Sequence, residues 1–68
     1  MDIKIKVGLK IKELRIKQGL TQEKLSELTG IDRTYISDVE RGLRNIAIVN
    51  LEKIANAFKV ELWELLKF

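Results

Sequence analysis

Cysteine, histidine and proline are all absent from the 68-residue sequence. Without cysteine there is no disulfide or thiolate chemistry, and without histidine the chain has neither the usual general base nor the commonest metal ligand. One tyrosine and one tryptophan do not form the aromatic platforms on which RNA-binding modules stack bases. We therefore expect a protein that is not an enzyme, holds no metal or cofactor and does not bind RNA.

Long hydrophobic runs are also missing. The longest uncharged stretches, such as residues 46–51, are too short to cross a bilayer, and the N-terminus lacks the apolar core and cleavage site of a signal peptide. We expect a cytoplasmic protein. A content of 46% apolar and 34% charged residues is typical of a folded domain, and the length leaves room for only one.

The charge balance favours a polyanionic partner without identifying it. Thirteen lysines and arginines stand against ten aspartates and glutamates, which gives a net charge of +3. Many proteins of similar charge bind no polyanion, so the residue pattern has to decide the function.

The first helical pattern begins at Val7 and predicts a helix over about residues 5–18, with lysines on its outer face. Before it, in residues 1–6, isoleucines alternate with lysines. That alternation fits a short strand, a helix extension or a frayed end. We therefore treat residues 1–6 as an N-terminal extension and residues 7–68 as a single domain.

Capping residues mark the next two helices. Thr21 is a suitable N-cap for a short second helix that closes at Gly30, and Asp32 can cap a third helix over about residues 33–41. Two short helices joined by a glycine-containing turn give residues 21–41 the layout of a helix-turn-helix unit. In such a unit the second helix is free to enter the major groove of DNA.

Two more apolar patterns follow, over residues 48–58 and 62–66, and predict a fourth helix and a short fifth one. The fourth would begin after Ala47, which cannot accept a capping hydrogen bond, so Asn45 is the alternative cap. Outside residues 1–6, no segment favours a strand. The predicted fold class is all-α, with five helices.

Three segments of the helix-turn-helix unit resemble the Cro/C1-type (XRE) family of phage and bacterial regulators: GLTQEKL at 19–25, TGI at 29–31 and YISDVERG at 35–42. The resemblance extends over about residues 7–66. Within the family, residues 32–37 and 40–45 look most like the controller proteins of restriction-modification systems. The resemblance implies a compact lambda-repressor-like fold of five helices and two-fold dimers on pseudo-palindromic operators.

The start of the third helix supplies the candidates for reading base edges, which are Arg33, Thr34, Tyr35 and Ser37. Arginine paired with guanine O6 and N7 is the commonest specific contact, so Arg33 is the first candidate; its alternative is a solvated surface arginine. Tyr35 fits two roles equally: it contacts a thymine methyl or a phosphate, or it packs on the adjoining turn.

Four other residues are candidates for contacts to the DNA backbone. Gln22 opens the second helix, where its amide and the nearby N–H groups can hold a phosphate. Arg41, Arg44 and Asn45 follow the third helix, where the resembling proteins meet the backbone. We expect Arg44 to make a backbone or minor-groove contact.

Arg15 and Glu40 are assigned to structure rather than to DNA. The resemblance implies that an arginine near the end of the first helix pairs with a glutamate at the end of the third. That pair would hold the first helix against the helix-turn-helix unit.

Several apolar residues fall off the inward-facing stripes, which suggests a surface for a partner. We predict a homodimer interface built from the fifth helix and the loop before the fourth, with Val49, Trp63, Leu66 and Phe68 as candidates. The alternative for Trp63 is that it completes the monomer core.

These features predict sequence-specific binding of double-stranded DNA by a dimeric transcriptional regulator, autoregulatory if it acts as a restriction-modification controller. Whether it represses or activates depends on the position of its operator. The alternative is an antitoxin-type protein-interaction module that also binds its operator, although such a protein usually carries an extra tail to grip its toxin.

Overall fold

The computed structural model describes the whole chain, Met1–Phe68, and contains only helices. The four α-helices are α1 (Ile3–Lys17), α2 (Gln22–Thr29), α3 (Arg33–Glu40) and α4 (Ile48–Phe58), and a 3₁₀ helix spans Leu62–Leu66. The all-α prediction is confirmed, and no strand is present. None of the helices is both long enough and apolar enough to cross a membrane.

The predicted count of five α-helices is wrong, because the fifth segment is a 3₁₀ helix of five residues. Side chains three residues apart lie above one another in a 3₁₀ helix, so Leu62 and Leu65 both face inward. Apolar spacing over five residues does not separate this arrangement from an α-helix. A capping box between Glu61 and Glu64 fixes its first turn.

Residues 1–6 lie mostly within α1, so the helix-extension alternative is the one that the structure adopts. Helix α1 begins at Ile3, and the Asp2 carboxylate accepts a hydrogen bond of 2.7 Å from the backbone N–H of Lys4. This cap satisfies one of the free N–H groups at the helix start.

The predicted N-caps of α2 and α3 are confirmed. The Thr21 hydroxyl accepts from the Lys24 N–H at 3.0 Å, and the Asp32 carboxylate accepts from the Thr34 N–H at 2.7 Å. Helix α4 starts after Ala47 with no side-chain cap, so the suggestion that Asn45 caps it is wrong.

Eleven apolar side chains form one core that all five helices share. They are Val7, Ile11, Leu25, Ile31, Ile36, Val39, Leu51, Ile54, Ala55, Phe58 and Leu65. Trp63 is 60% exposed, so it does not complete this core.

Helix α1 crosses the end of α3 at very short distance. Gly8 is buried in the middle of α1, and a Cβ added there would lie only 2.1 Å from the Val39 carbonyl oxygen. Only glycine permits this approach of the two backbones. The contact holds α3, and with it the helix-turn-helix unit, against α1.

Candidate nucleic-acid interface

The turn between α2 and α3 is held by side-chain hydrogen bonds to the backbone. The Thr29 hydroxyl donates to the Leu25 carbonyl at 2.8 Å and accepts from the Ile31 N–H at 3.1 Å, and the Ser26 hydroxyl donates to the Ile31 carbonyl. Gly30 takes the left-handed conformation, with φ of 75°. The angle between the two helices is therefore fixed by local contacts as well as by the core.

The start of α3 presents polar side chains to solvent. Arg33 and Thr34 are exposed and Ser37 is half-buried, whereas Ile36 and Val39 of the same helix lie in the core. None of the four ion pairs in the structure includes Arg33. Its guanidinium is thus free to meet an acceptor from outside.

Tyr35 is half-buried and contacts the loop after α3, as its second sequence-based role supposed. Its hydroxyl oxygen accepts a hydrogen bond of 3.0 Å from the Ala47 N–H, and the Arg44 guanidinium lies 4.6 Å from the centre of its ring. A cation at this distance from an aromatic face is attracted to it. The tyrosine therefore links α3 to the start of α4, while its hydroxyl proton remains available for donation.

Arg15 and Glu40 form a nearly buried ion pair. The Arg15 Nε and Nη2 atoms donate to the two Glu40 carboxylate oxygens at 2.7 and 3.0 Å, and Arg15 Nη1 donates to the Leu20 carbonyl at 2.8 Å. The exposed fractions of the Arg15 and Glu40 side chains are 11% and 2%. The pair joins α1 to the end of α3 and to the segment before α2.

Gln22 adds to this network, which the sequence did not indicate. Its side-chain amide donates to Glu40 at 3.1 Å. One amide hydrogen is thereby committed to the protein, while the amide oxygen and the second hydrogen have no partner in the structure. The glutamate holds Gln22 at the first position of α2.

The other candidates for contacts to the DNA backbone follow α3 and are exposed. Arg41 makes a loose contact of 3.9 Å with Asp38, and Arg44 and Asn45 are exposed in the loop. Three arginines, Arg33, Arg41 and Arg44, are therefore exposed on α3 and in the loop after it.

The four interface candidates are all exposed, with exposed fractions of 61% for Val49, 60% for Trp63, 44% for Leu66 and 61% for Phe68. The sequence does not identify Ile48, which precedes Val49 in the chain, as an exposed residue, because the apolar spacing places it on the inner stripe of α4. In the structure Ile48 is 69% exposed. Its position in the first turn, before α4 reaches the core, explains the difference.

Comparison with known proteins identifies the family. A helix-turn-helix family model matches residues 11–65. The chain is 43% identical to the control protein C.BamHI of Bacillus amyloliquefaciens, over 98% of this chain and 84% of that protein.

Solved structures agree with this result. The restriction-modification controller protein C.AhdI from Aeromonas hydrophila superposes with a TM-score of 0.89 at 47% identity, covering 91% of this chain and 94% of that one. The controller protein C.Esp1396I, seen as a tetramer in complex with its natural 35 base-pair operator, matches 98% of this chain and 99% of its own, with a TM-score of 0.83 at 37% identity. The chain therefore belongs to the helix-turn-helix family of Cro/C1-type (XRE) transcriptional regulators, and within it resembles the controller proteins of restriction-modification systems.

Proposed function

We propose that this protein is a sequence-specific regulator of transcription that binds double-stranded operator DNA as a homodimer, in the manner of a restriction-modification controller. The observation that carries the proposal is the exposed start of α3, where Arg33 has no protein partner while the rest of the helix is anchored in the core. A free side chain on a fixed helix is suited to read base edges.

Arg33 is the principal base-reading residue in this proposal. Its guanidinium can donate two hydrogen bonds to O6 and N7 of one guanine, a contact worth roughly 1–3 kcal/mol of discrimination against other bases. Thr34 and Ser37 flank it with hydroxyls that bond to bases or to phosphates. Tyr35 contributes its hydroxyl proton from the edge of the same surface.

In this proposal, both ends of the helix-turn-helix unit contact the DNA backbone. Gln22, held by Glu40, offers its free amide atoms at the start of α2, and Arg41, Arg44 and Asn45 reach the backbone beyond α3. These contacts set the register of α3 in the groove and carry no sequence information themselves. Each phosphate that a cation neutralises steepens the salt dependence of binding.

The exposed apolar surface supports the dimer. Four large apolar side chains are exposed on this domain of 68 residues: Val49, Trp63, Leu66 and Phe68. A two-fold interface between two copies of the chain would cover them. Such a dimer places its two α3 helices on half-sites about 34 Å apart, one turn of DNA. The operator is then pseudo-palindromic, and occupancy depends on protein concentration.

The test is selection of bound sequences from a random duplex pool at near-physiological salt, with wild type and Arg33→Ala in parallel. Lys53→Ala is the matched control, because it removes one exposed positive charge from α4. We expect a two-fold symmetric site for wild type and for the control, and loss of preference at one symmetric pair of bases for Arg33→Ala. Failure of the wild type to enrich any sequence would contradict the proposal.

A further inference from the structure

A small depression lies beside the loop that is proposed to contact the DNA backbone, and two basic residues, Lys4 and Arg44, border it. It has a volume of about 50 Å³ and lies where the first turn of α1 meets the loop between α3 and α4. Lys4, Arg44 and Asn45 surround it over a floor that includes Ile3, Val7 and Ile46. Lys4 and Arg44 thus border the same depression, and no acidic residue lines it.

Arg44 and Asn45 place this depression next to DNA if the proposed function holds, and the present inference rests on that function. The geometry points to Lys4 as a further contact to the DNA backbone, at a phosphodiester group beside the one that Arg44 meets. From the sequence alone, residues 1–6 are an extension without a role. It is the helical start of α1 that brings Lys4 to the loop.

The nearest acidic group to Lys4 does not neutralise it. The Lys4 Nζ lies 4.0 Å from an Asp2 carboxylate oxygen, and the two side chains are 42% and 50% exposed. Exposed ion pairs of this kind contribute little, so the ammonium can exchange the carboxylate for a phosphate. Asp2 is instead committed through its other oxygen to the Lys4 backbone N–H.

The other lysines of α1 do not share this position. Lys6 lies 5.8 Å from the Phe68 ring, beside the 3₁₀ helix, and Lys10 lines a different depression with Leu14 and Trp63. The inference therefore concerns Lys4 alone and not the general charge of the helix.

Two substitutions with opposite expected effects test the contact. Lys4→Met removes the charge and keeps the aliphatic stem, whereas Asp2→Asn removes the competing carboxylate and keeps a residue able to cap α1. We expect Lys4→Met to weaken operator binding and Asp2→Asn to tighten it, in each case at low salt. Lys4→Arg should retain the wild-type behaviour, and Lys53→Met is the control for loss of a lysine elsewhere.

The salt dependence gives the size of the effect. If each subunit of a dimer neutralises one phosphate fewer, the slope of log K against log salt becomes shallower by about 1.8. The ratio of wild-type to Lys4→Met affinity should then shrink by about 12-fold between about 50 and about 200 mM salt. Ethylation interference on the same operator should lose one symmetric pair of phosphates in Lys4→Met and none in Lys53→Met.

The possible outcomes distinguish failure of the Lys4 contact from failure of the proposed function. If wild type binds its operator and Lys4→Met has the same salt slope and the same ethylation pattern, the Lys4 contact is wrong and the proposed function stands. Equal weakening in Lys4→Met and Lys53→Met would also overturn it, because only net charge would then matter. If wild type selects no operator at all, both proposals fall.

Discussion

Removing the Glu40 carboxylate should destabilise the fold more than any surface change. In Glu40→Ala, the Arg15 guanidinium loses two hydrogen bonds and its counter-charge, and the Gln22 amide loses its acceptor. The Arg15 side chain is only 11% exposed, so water can replace these hydrogen bonds only in part. An uncompensated charge then remains in a nearly closed site.

Breaking one partner of a buried ion pair typically costs about 3–5 kcal/mol. We expect the lower end, about 3 kcal/mol, because Arg15 keeps its hydrogen bond to the Leu20 carbonyl and a small exposed fraction. At about 0.05–0.15 kcal/mol per residue, a domain of 68 residues has a free energy of unfolding of about 3–10 kcal/mol. Glu40→Ala should therefore remove a large part of it.

Urea unfolding followed by circular dichroism measures this change, at one fixed protein concentration because dimerisation adds to the apparent stability. The double variant Arg15→Met, Glu40→Met should be much more stable than Glu40→Ala, since an apolar pair leaves no unpaired buried charge there. A decrease below about 0.5 kcal/mol in Glu40→Ala, within the range of surface substitutions, would refute the reasoning.

Three further substitutions and one control act on the backbone and the helix ends, and thermal unfolding checks each of them. Gly8→Ala should destabilise by more than about 3 kcal/mol, because the new Cβ would lie 2.1 Å from the Val39 carbonyl oxygen. Gly19→Ala is its control: nothing lies within 4 Å there, so the cost should be only the 1–2 kcal/mol or so of a positive φ. Lys59→Gly should stabilise by about 1 kcal/mol and raise Tm by about 4–8 °C, since Lys59 ends α4 at a φ of 59° that glycine adopts without strain. Ala47→Ser should stabilise by about 1 kcal/mol by supplying the missing cap of α4. An unchanged Tm in either of these last two variants would contradict its explanation.

The helix-turn-helix unit could be predicted from the sequence because the capping and turn residues that define it act on nearby backbone groups. The caps at Thr21 and Asp32 bond to backbone groups two or three residues away, and the side chains that hold the turn at Gly30 bond to backbone groups at most five residues away. Apolar spacing located the inner faces of α3 and most of α4 for the same reason.

The features that the sequence did not predict depend on contacts between distant segments. Gly8 permits the crossing of α1 and α3, and the amide of Gln22 bonds to Glu40, 18 residues away. The attachment of Tyr35 to Ala47 also joins two elements, and the sequence left it open as one of two roles for the tyrosine. Spacing along the chain carries no information about such contacts. The start of α1 stayed open because alternating isoleucine and lysine fits either a helix or a strand.

Methylation interference on the selected operator shows whether α3 reads DNA through Arg33. Methylation of guanine N7 blocks the acceptor that the Arg33 guanidinium would use. We predict one symmetric pair of guanines at which methylation weakens the binding of wild type but not of Arg33→Ala, while interference at every other guanine is the same in both proteins. Identical patterns for the two proteins at all guanines would contradict the claim.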